Sequence, residues 1–257
     1  MTFDPDYIDF ISEYCDRWCE RCPLTHKCAA FSRRNDPEQI EECSEAVERA
    51  MEELRVELAM PDPPARPWLD EILNAPPPSE AEQKELDREF EERQRRIDSN
   101  PMLALAHDYS IDAYTWLKLY GEPTRERAAS VLVERGDTPE AAVVRMEVEG
   151  VLEALDVVHW DCSLIAAKLH RAIGGKDFGF EPMNDDPVQT DFNGSAKLTL
   201  LLTERSEAGW RLIAPWAPES EIATKLADAL AALRADVEAA FPSARRFIRP
   251  GFDGMGV

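Results

Sequence analysis

The sequence predicts an all-α protein, an antiparallel helical bundle preceded by an N-terminal cysteine-cluster helical segment. Three observations carry this expectation. A run of Val144, Val148, Val151, Leu155, Val158, Cys162, Ile165 and Leu169 alternates spacings of four and three, the heptad seam of a packed helix. Helix start signals (Asp36-Pro37, Ser79 with Glu82, Asn100-Pro101) recur along the chain. Strand candidates are few. With 44% hydrophobic residues the 257-residue chain can build a core, and its length suits one large domain or two small ones. Boundaries are expected near 35 and 99, giving a cysteine-cluster metal-binding segment at 1–35, an acidic helical region with a proline-rich connector at 36–99, and a bundle with a basic tail at 100–257.

Taken in order, 4–22 reads as a first helix running into the cysteines. The next starts with Asp36 as N-cap and is expected to bury Ile40, Cys43, Val47, Met51 (or Ala50), Leu54 and Leu58 at helical spacing, until Pro61, Pro63 and Pro64 end it. Residues 61–78 form the connector. Ser79 and Glu82 form a capping box for a charged helix reaching about Asp98, and Asn100-Pro101 opens an aromatic-rich helix through Tyr120. A shorter helix follows from Pro123 to about Arg135, with Gly136 as its stop.

The strongest element begins at Asp137-Thr138-Pro139. The sequence predicts its end at Gly174-Gly175, with Lys168, His170 and Arg171 placed to favour the helix dipole. Residues 174–190 read as a loop. The segment 191–206 is compatible with a hairpin turning at Ala208-Gly209, but Ala196, Leu200 and Thr203 keep helical phase and helix is preferred. There Asp191 and Asn193 read as capping residues. The last helix, about 219–241, carries Ile222, Leu226, Ala229, Leu233 and Val237 and stops before Pro242. A basic, aromatic tail follows, Arg245 to Phe252, which suits docking on the acidic body or on another subunit.

Charge narrows the partners. Asp and Glu number 51 against 29 Lys and Arg, a formal charge of −22. Such a surface repels phosphate backbones and anionic lipid, so neither nucleic acid nor membrane is an expected partner. The first ten residues hold Asp4, Asp6 and Asp9 and no basic segment, so no signal peptide is expected, and no apolar run is long enough to span a bilayer. A cytoplasmic location follows, in which thiols stay reduced.

Four of the six cysteines lie between Cys15 and Cys28, spaced C-x3-C-x2-C-x5-C. On a continuous helix the first three would share one face, and Pro23 would turn the chain so that Cys28 could return to them. Converging thiolates suit a soft metal or an iron–sulfur cluster. Asp16, Arg17, Glu20 and Arg21 between them argue against plain core packing. Structural zinc usually takes paired C-x2-C knuckles, and only Cys19 and Cys22 form one. The compact run is closer to [4Fe–4S] ligation, with zinc as the alternative, His26 as a substitute ligand and Arg17 and Arg21 as counter-charges.

The run C-x3-C-x2-C resembles the iron–sulfur triad of radical S-adenosylmethionine enzymes. That family places the triad after a strand at the start of an alternating βα barrel. No βα alternation follows here, so the resemblance ends at three residues.

A second site candidate is Asp156 with His159, one helical turn apart beside the seam, with Glu149 and Glu153 near and His107, Asp108 and Asp112 on another helix. Ferritin-like di-iron proteins use E-x-x-H motifs, which no helix of this sequence has. A carboxylate–histidine metalloenzyme is therefore a third reading, behind an iron–sulfur protein in a redox, sensing or accessory role and a zinc-stapled interaction protein. Cys43 and Cys162 read as packing residues. No nucleophile elbow, P-loop or dinucleotide fingerprint is present.

Overall fold

A computed structural model describes residues 6–35, 78–135, 139–179, 182 and 184–254. The helix expected from Asp36, the connector at 61–77, Cys43 and Gly136 lie outside them. Among the described residues the protein is all-helical and has no strand. Its α-helices are α1 (Ala29–Asn35), α2 (Glu80–Asp98), α3 (Pro101–Trp116), α4 (Glu122–Arg135), α5 (Pro139–Phe178), α6 (Asp191–Ile213) and α7 (Ser220–Ala240). No helix among the described residues is long and apolar enough to cross a membrane. Two compact units divide the chain, one within Met1–Ser12 and Cys19–Glu92, the other Glu13–Trp18 with Arg93–Val257.

The second unit is a four-helix bundle of α3, α5, α6 and α7, with each neighbour antiparallel. Along α5 against α3, Gly174 faces Ile97 just before α3, the Cys162 carbonyl accepts from Ser110, and Asp156 pairs with Arg125 on α4. Numbers fall on one helix as they rise on the other. The same inversion relates α5 to α6, through Arg171 to Asp191 and Asp161 to Arg205, and α6 to α7, through Glu207 to Arg234 and Glu204 to Arg245 beyond the end of α7. At about 1.5 Å per residue, the 40 residues of α5 run about 60 Å and set the length of the bundle.

The heptad seam is the core. Val148, Val151, Leu155, Val158, Cys162, Ile165 and Leu169 are all buried and Val144 partly so, joined by Leu200, Trp210, Leu226, Leu230 and Leu233 from the facing helices. Glycine lets α6 approach α5: a Cβ on Gly209 would stand 3.0 Å from Val158 Cγ2. The helix therefore runs straight through the position where a hairpin turn was conceivable.

The capping box stands where the sequence predicts it, with Ser79 N–H donating to Glu82 at 2.8 Å and Glu82 N–H to Ser79 Oγ at 3.3 Å. Asn100 caps α3, accepting from Met102 N–H at 3.0 Å. At α6 the cap is Thr190, which accepts from Asn193 N–H, so the capping role expected of Asp191 and Asn193 falls one residue earlier.

Three local expectations are corrected. Residues 4–22 are not a helix where described; 3-10 turns at Ile11–Glu13 and Cys19–Arg21 flank an irregular stretch, with positive φ at Phe10 and Arg17. Carbonyls of that stretch take partners from the bundle: Glu13 accepts from Lys168 Nζ at 2.9 Å and Asp16 from Trp160 Nε1 at 2.8 Å. Secondly, Tyr120 and Pro123 do not divide two helices, because a π-helical turn, Leu117–Gly121, joins α3 to α4. Pro123 has no N–H for an i−4 bond to the Leu119 carbonyl, and one residue on the Thr124 hydroxyl donates to the Tyr120 carbonyl at 2.7 Å. Thirdly, α5 passes through Gly174 and Gly175, both buried, and ends at Phe178 before Gly179 at φ +67°.

The C-terminal tail docks on its own body. Phe247 is fully buried, Arg245 reaches Glu204 and Glu238, and Lys197 donates to the Phe247 carbonyl and to Asp253, each within 2.6 Å.

Candidate functional site

In the first unit, Cys19, Cys22 and Cys28 sit on or beside short 3-10 turns, Cys19–Arg21 and Thr25–Lys27, separated by Pro23. No continuous helix carries Cys15, Cys19 and Cys22, so the single helical face expected of those three is not formed. Cys28 opens α1: its carbonyl accepts from Ser32 N–H at 3.0 Å, and its sulfur accepts from Phe31 N–H at 3.4 Å. The sulfur of Cys22 accepts from Leu24 N–H at 3.4 Å, and that of Cys19 from the Arg34 guanidinium at 3.4 Å. The Ile8 N–H donates to the Lys27 carbonyl at 2.9 Å and Tyr7 to Ser32, tying the preceding chain to this loop.

Every one of these three sulfurs receives a hydrogen-bond donor. All three cysteines, and Cys15 in the second unit, are partly exposed. They are not the small core hydrophobes of a packing role. Cys162 is: it is 4% exposed, and burial pushes its thiol pKa up. Among the described residues, no three His, Cys, Asp or Glu side chains form a group able to hold a metal ion. Arg21 shares the turn of Cys19, and His26 lies on the turn that Cys28 follows.

Cys15 belongs to the stretch Glu13–Trp18, which a network of hydrogen bonds and ion pairs binds to the bundle. Arg171 donates to Glu13 at 2.6 Å and to Asp191 at 2.5 and 3.0 Å, and Tyr14 donates to Asp191 at 3.0 Å. Arg205 donates to Asp16 at 2.6 Å and grips both oxygens of Asp161, which Ser206 also meets. The indoles of Trp18 and Trp160 stack with centroids 5.1 Å apart.

Asp161 has no exposed surface. Burial pushes its carboxyl pKa up, against the pull of Arg205 and Ser206. Lys168 is buried among cations, and burial, then Arg171 and Arg17, hold its ammonium pKa down. Arg205 bonds both Asp161 on α5 and Asp16, so this pair ties the stretch that carries Cys15 to α5 and α6.

The second predicted site is placed differently from the first. Asp156 is paired with Arg125, and the exposed His159 lines a surface hollow of about 510 Å³ with Arg17, Trp18 and Trp160. His107, Asp108, Asp112, Glu149 and Glu153 are exposed. Sequence reasoning missed Arg34, Asp161 and Arg205, and it placed Lys168, His170 and Arg171 at a helix end, whereas α5 runs on to Phe178 and Lys168 donates to the Glu13 carbonyl. A charged Asp161 beside the seam position Cys162 was the available signal, since a carboxylate there needs a buried partner.

No family model, curated protein or solved structure matches the chain.

Proposed function

We propose that the protein is a metal-binding helical protein that holds an iron–sulfur cluster, [4Fe–4S] by its ligand spacing, in a redox, sensing or accessory role in the cytoplasm. The ligands are those the spacing assigns, Cys15, Cys19, Cys22 and Cys28. The observation that carries this reading is that the sulfurs of Cys19, Cys22 and Cys28 each accept a hydrogen bond, from Arg34, Leu24 N–H and Phe31 N–H. Donors to sulfur stabilise thiolate ligands and tune the potential of a cluster.

Partial exposure of all four cysteines supports exchange with an outside partner or oxidant. Cys19, Cys22 and Cys28 lie on or beside three-residue turns, so drawing them around a metal would couple loading to local folding. The acidic body, at −22, keeps polyanions away from such a surface.

Anaerobic purification with a visible spectrum and analysis for iron, sulfide and zinc tests the proposal. Broad visible absorbance with iron and sulfide is expected, lost when Cys19 and Cys22 are both replaced by Ser. Colourless protein with one zinc per chain overturns the iron–sulfur assignment and keeps the thiolate site. Metal content unaffected by the double replacement overturns the ligand set.

A further inference from the structure

The hollow of about 510 Å³ beside Glu13–Trp18 lies wholly within the second unit, with Trp18 from that stretch and Trp160 and Leu164 from α5 as its apolar walls. Its volume falls in the range of small-molecule sites, roughly 300–1,000 Å³. The two indoles are nearly parallel, 14° apart, and the Trp160 N–H is spent on the Asp16 carbonyl, so the rings are held as a flat wall. The polar groups around them are mostly donors. Arg17, His159 and Ser163 are exposed and line the hollow, and none of their side chains has a hydrogen-bond or ion-pair partner among the described residues. The carboxylate that also lines it, Asp156, is already paired with Arg125. The arginines that bind the same stretch to the bundle, Arg171 and Arg205, both hold carboxylates, whereas Arg17 does not. Arg17 also has φ +58°, a left-handed conformation that is costly for a residue with a Cβ. Strain of this kind collects at ligand clamps, where a side chain has to be aimed.

We propose that this hollow binds a small aromatic carboxylate. Free donors call for a ligand that brings the acceptors, and the planar fork of a guanidinium matches a carboxylate in both charge and shape. Arg17 takes the carboxylate, with the Ser163 hydroxyl and a ring N–H of His159 as further donors in the same hollow. The aromatic ring of the ligand packs on the Trp18–Trp160 wall, which supplies apolar contact area. A monoanion is favoured over a phosphate ester or other polyanion, because a body of charge −22 repels each added negative charge. No cysteine lines the hollow, so this inference is independent of the cluster.

Equilibrium dialysis of the full-length protein tests the proposal, in about 0.15 M salt so that long-range repulsion is screened. Free ligand is read by its absorbance in the protein-free chamber. 2-Naphthoate is expected to bind saturably. 2-Naphthamide, the same ring system without the charge, is expected to bind about tenfold more weakly, the loss of a hydrogen bond between charged groups. Cyclohexanecarboxylate, which keeps the charge and lacks the aromatic ring, should displace 2-naphthoate only at higher concentration. Arg17→Gly removes the guanidinium and suits the left-handed backbone. It should bring 2-naphthoate level with 2-naphthamide without lowering the thermal midpoint. Ser163→Trp, which fills the hollow from an exposed position on α5 and keeps Arg17, should abolish binding. Absent or unsaturable binding, equal affinity of the native protein for the two naphthyl probes, cyclohexanecarboxylate binding as tightly as 2-naphthoate, or undiminished binding in either variant overturns the proposal.

Discussion

The ring of Tyr14 lies flush against the backbone of Gly194 on α6: a Cβ at position 194 would stand 2.4 Å from Tyr14 Cε1 and 2.7 Å from Phe247 Cζ. Two segments distant in sequence, Glu13–Trp18 and the C-terminal tail, meet at this glycine, with the two rings 4.8 Å apart. Gly194→Ala gains helix propensity but forces both rings aside, a net loss of about 1–3 kcal/mol by overpacking. Tyr14→Ala alone costs about 3 kcal/mol. Because the clash is shared, the double variant should be milder than the sum by about 1 kcal/mol or more in chemical denaturation. Strict additivity would show that Tyr14 does not occupy the glycine's socket.

Asp161 depends on Arg205. Replacing Arg205 with Met leaves a carboxylate with no exposed surface and only Ser206 as partner, a loss of about 3–5 kcal/mol at neutral pH. Burial already raises the Asp161 pKa above its unfolded value, and removing the cation raises it further. A raised carboxyl pKa means that the folded state holds the proton longer, so the penalty is largest above the folded pKa and shrinks as pH falls through it. Denaturation of native and variant protein at about pH 7 and about pH 5 should show the gap narrowing toward acid. A gap independent of pH would mean that Asp161 is not the group responsible.

Regular heptads made the bundle legible. Each seam residue of α5 reports its own burial through spacing alone, and so do the caps at Ser79 and Asn100, whose partners lie within three residues. What spacing could not report was long-range. The irregular stretch between the first turns owes its shape to Lys168 and Trp160, about 150 positions away in the chain, and a local pattern carries no trace of them. Gly174-Gly175 reads as a stop by propensity, yet both glycines are buried and the helix continues through them to Phe178. The four cysteines of the candidate site were visible as a cluster, but the Arg34 contact to Cys19 crosses two turns and Pro23.

The tail clamp should be acid-sensitive. Burial alone would raise the Asp253 pKa, but hydrogen bonds from Arg249 and Lys197 hold it down to about 2. A depressed carboxyl pKa contributes stability that is complete above the unfolded value, about 3.9, and lost as pH falls through the folded one. Asp253→Asn should cost about 0.5–1 kcal/mol at neutral pH, since the group is partly exposed. Between about pH 4 and about 2 the thermal midpoints of native and variant protein should converge. Midpoints that stay apart at the acid end would place the effect elsewhere.

The cysteines should separate by reactivity. In metal-free native protein, iodoacetamide should label Cys15, Cys19, Cys22 and Cys28, which are partly exposed, and spare Cys162, which is buried with its thiol donating to the His159 carbonyl at 3.2 Å. Peptide mass spectrometry reads each site. Iron–sulfur or zinc loading should then protect the first four together and leave Cys162 unchanged. Protection of one or two alone would reject a four-thiolate site.

The end of α5 gives opposite signs at two glycines five residues apart. Gly174 is helical and buried, and a Cβ there would meet Ile97 Cδ1 at 3.8 Å, an ordinary contact. Alanine fits without strain and restricts the unfolded chain, so Gly174→Ala should stabilise by about 0.5–1 kcal/mol. Gly179 has φ +67° and its N–H bonds the Lys176 carbonyl at 3.2 Å, the left-handed residue that ends the helix. A Cβ there meets no atom but strains the backbone, so Gly179→Ala should destabilise by about 1–2 kcal/mol. Thermal denaturation of the two variants decides between the ends. If the helix stopped at Gly174-Gly175, the first substitution would be the costly one and the second near neutral.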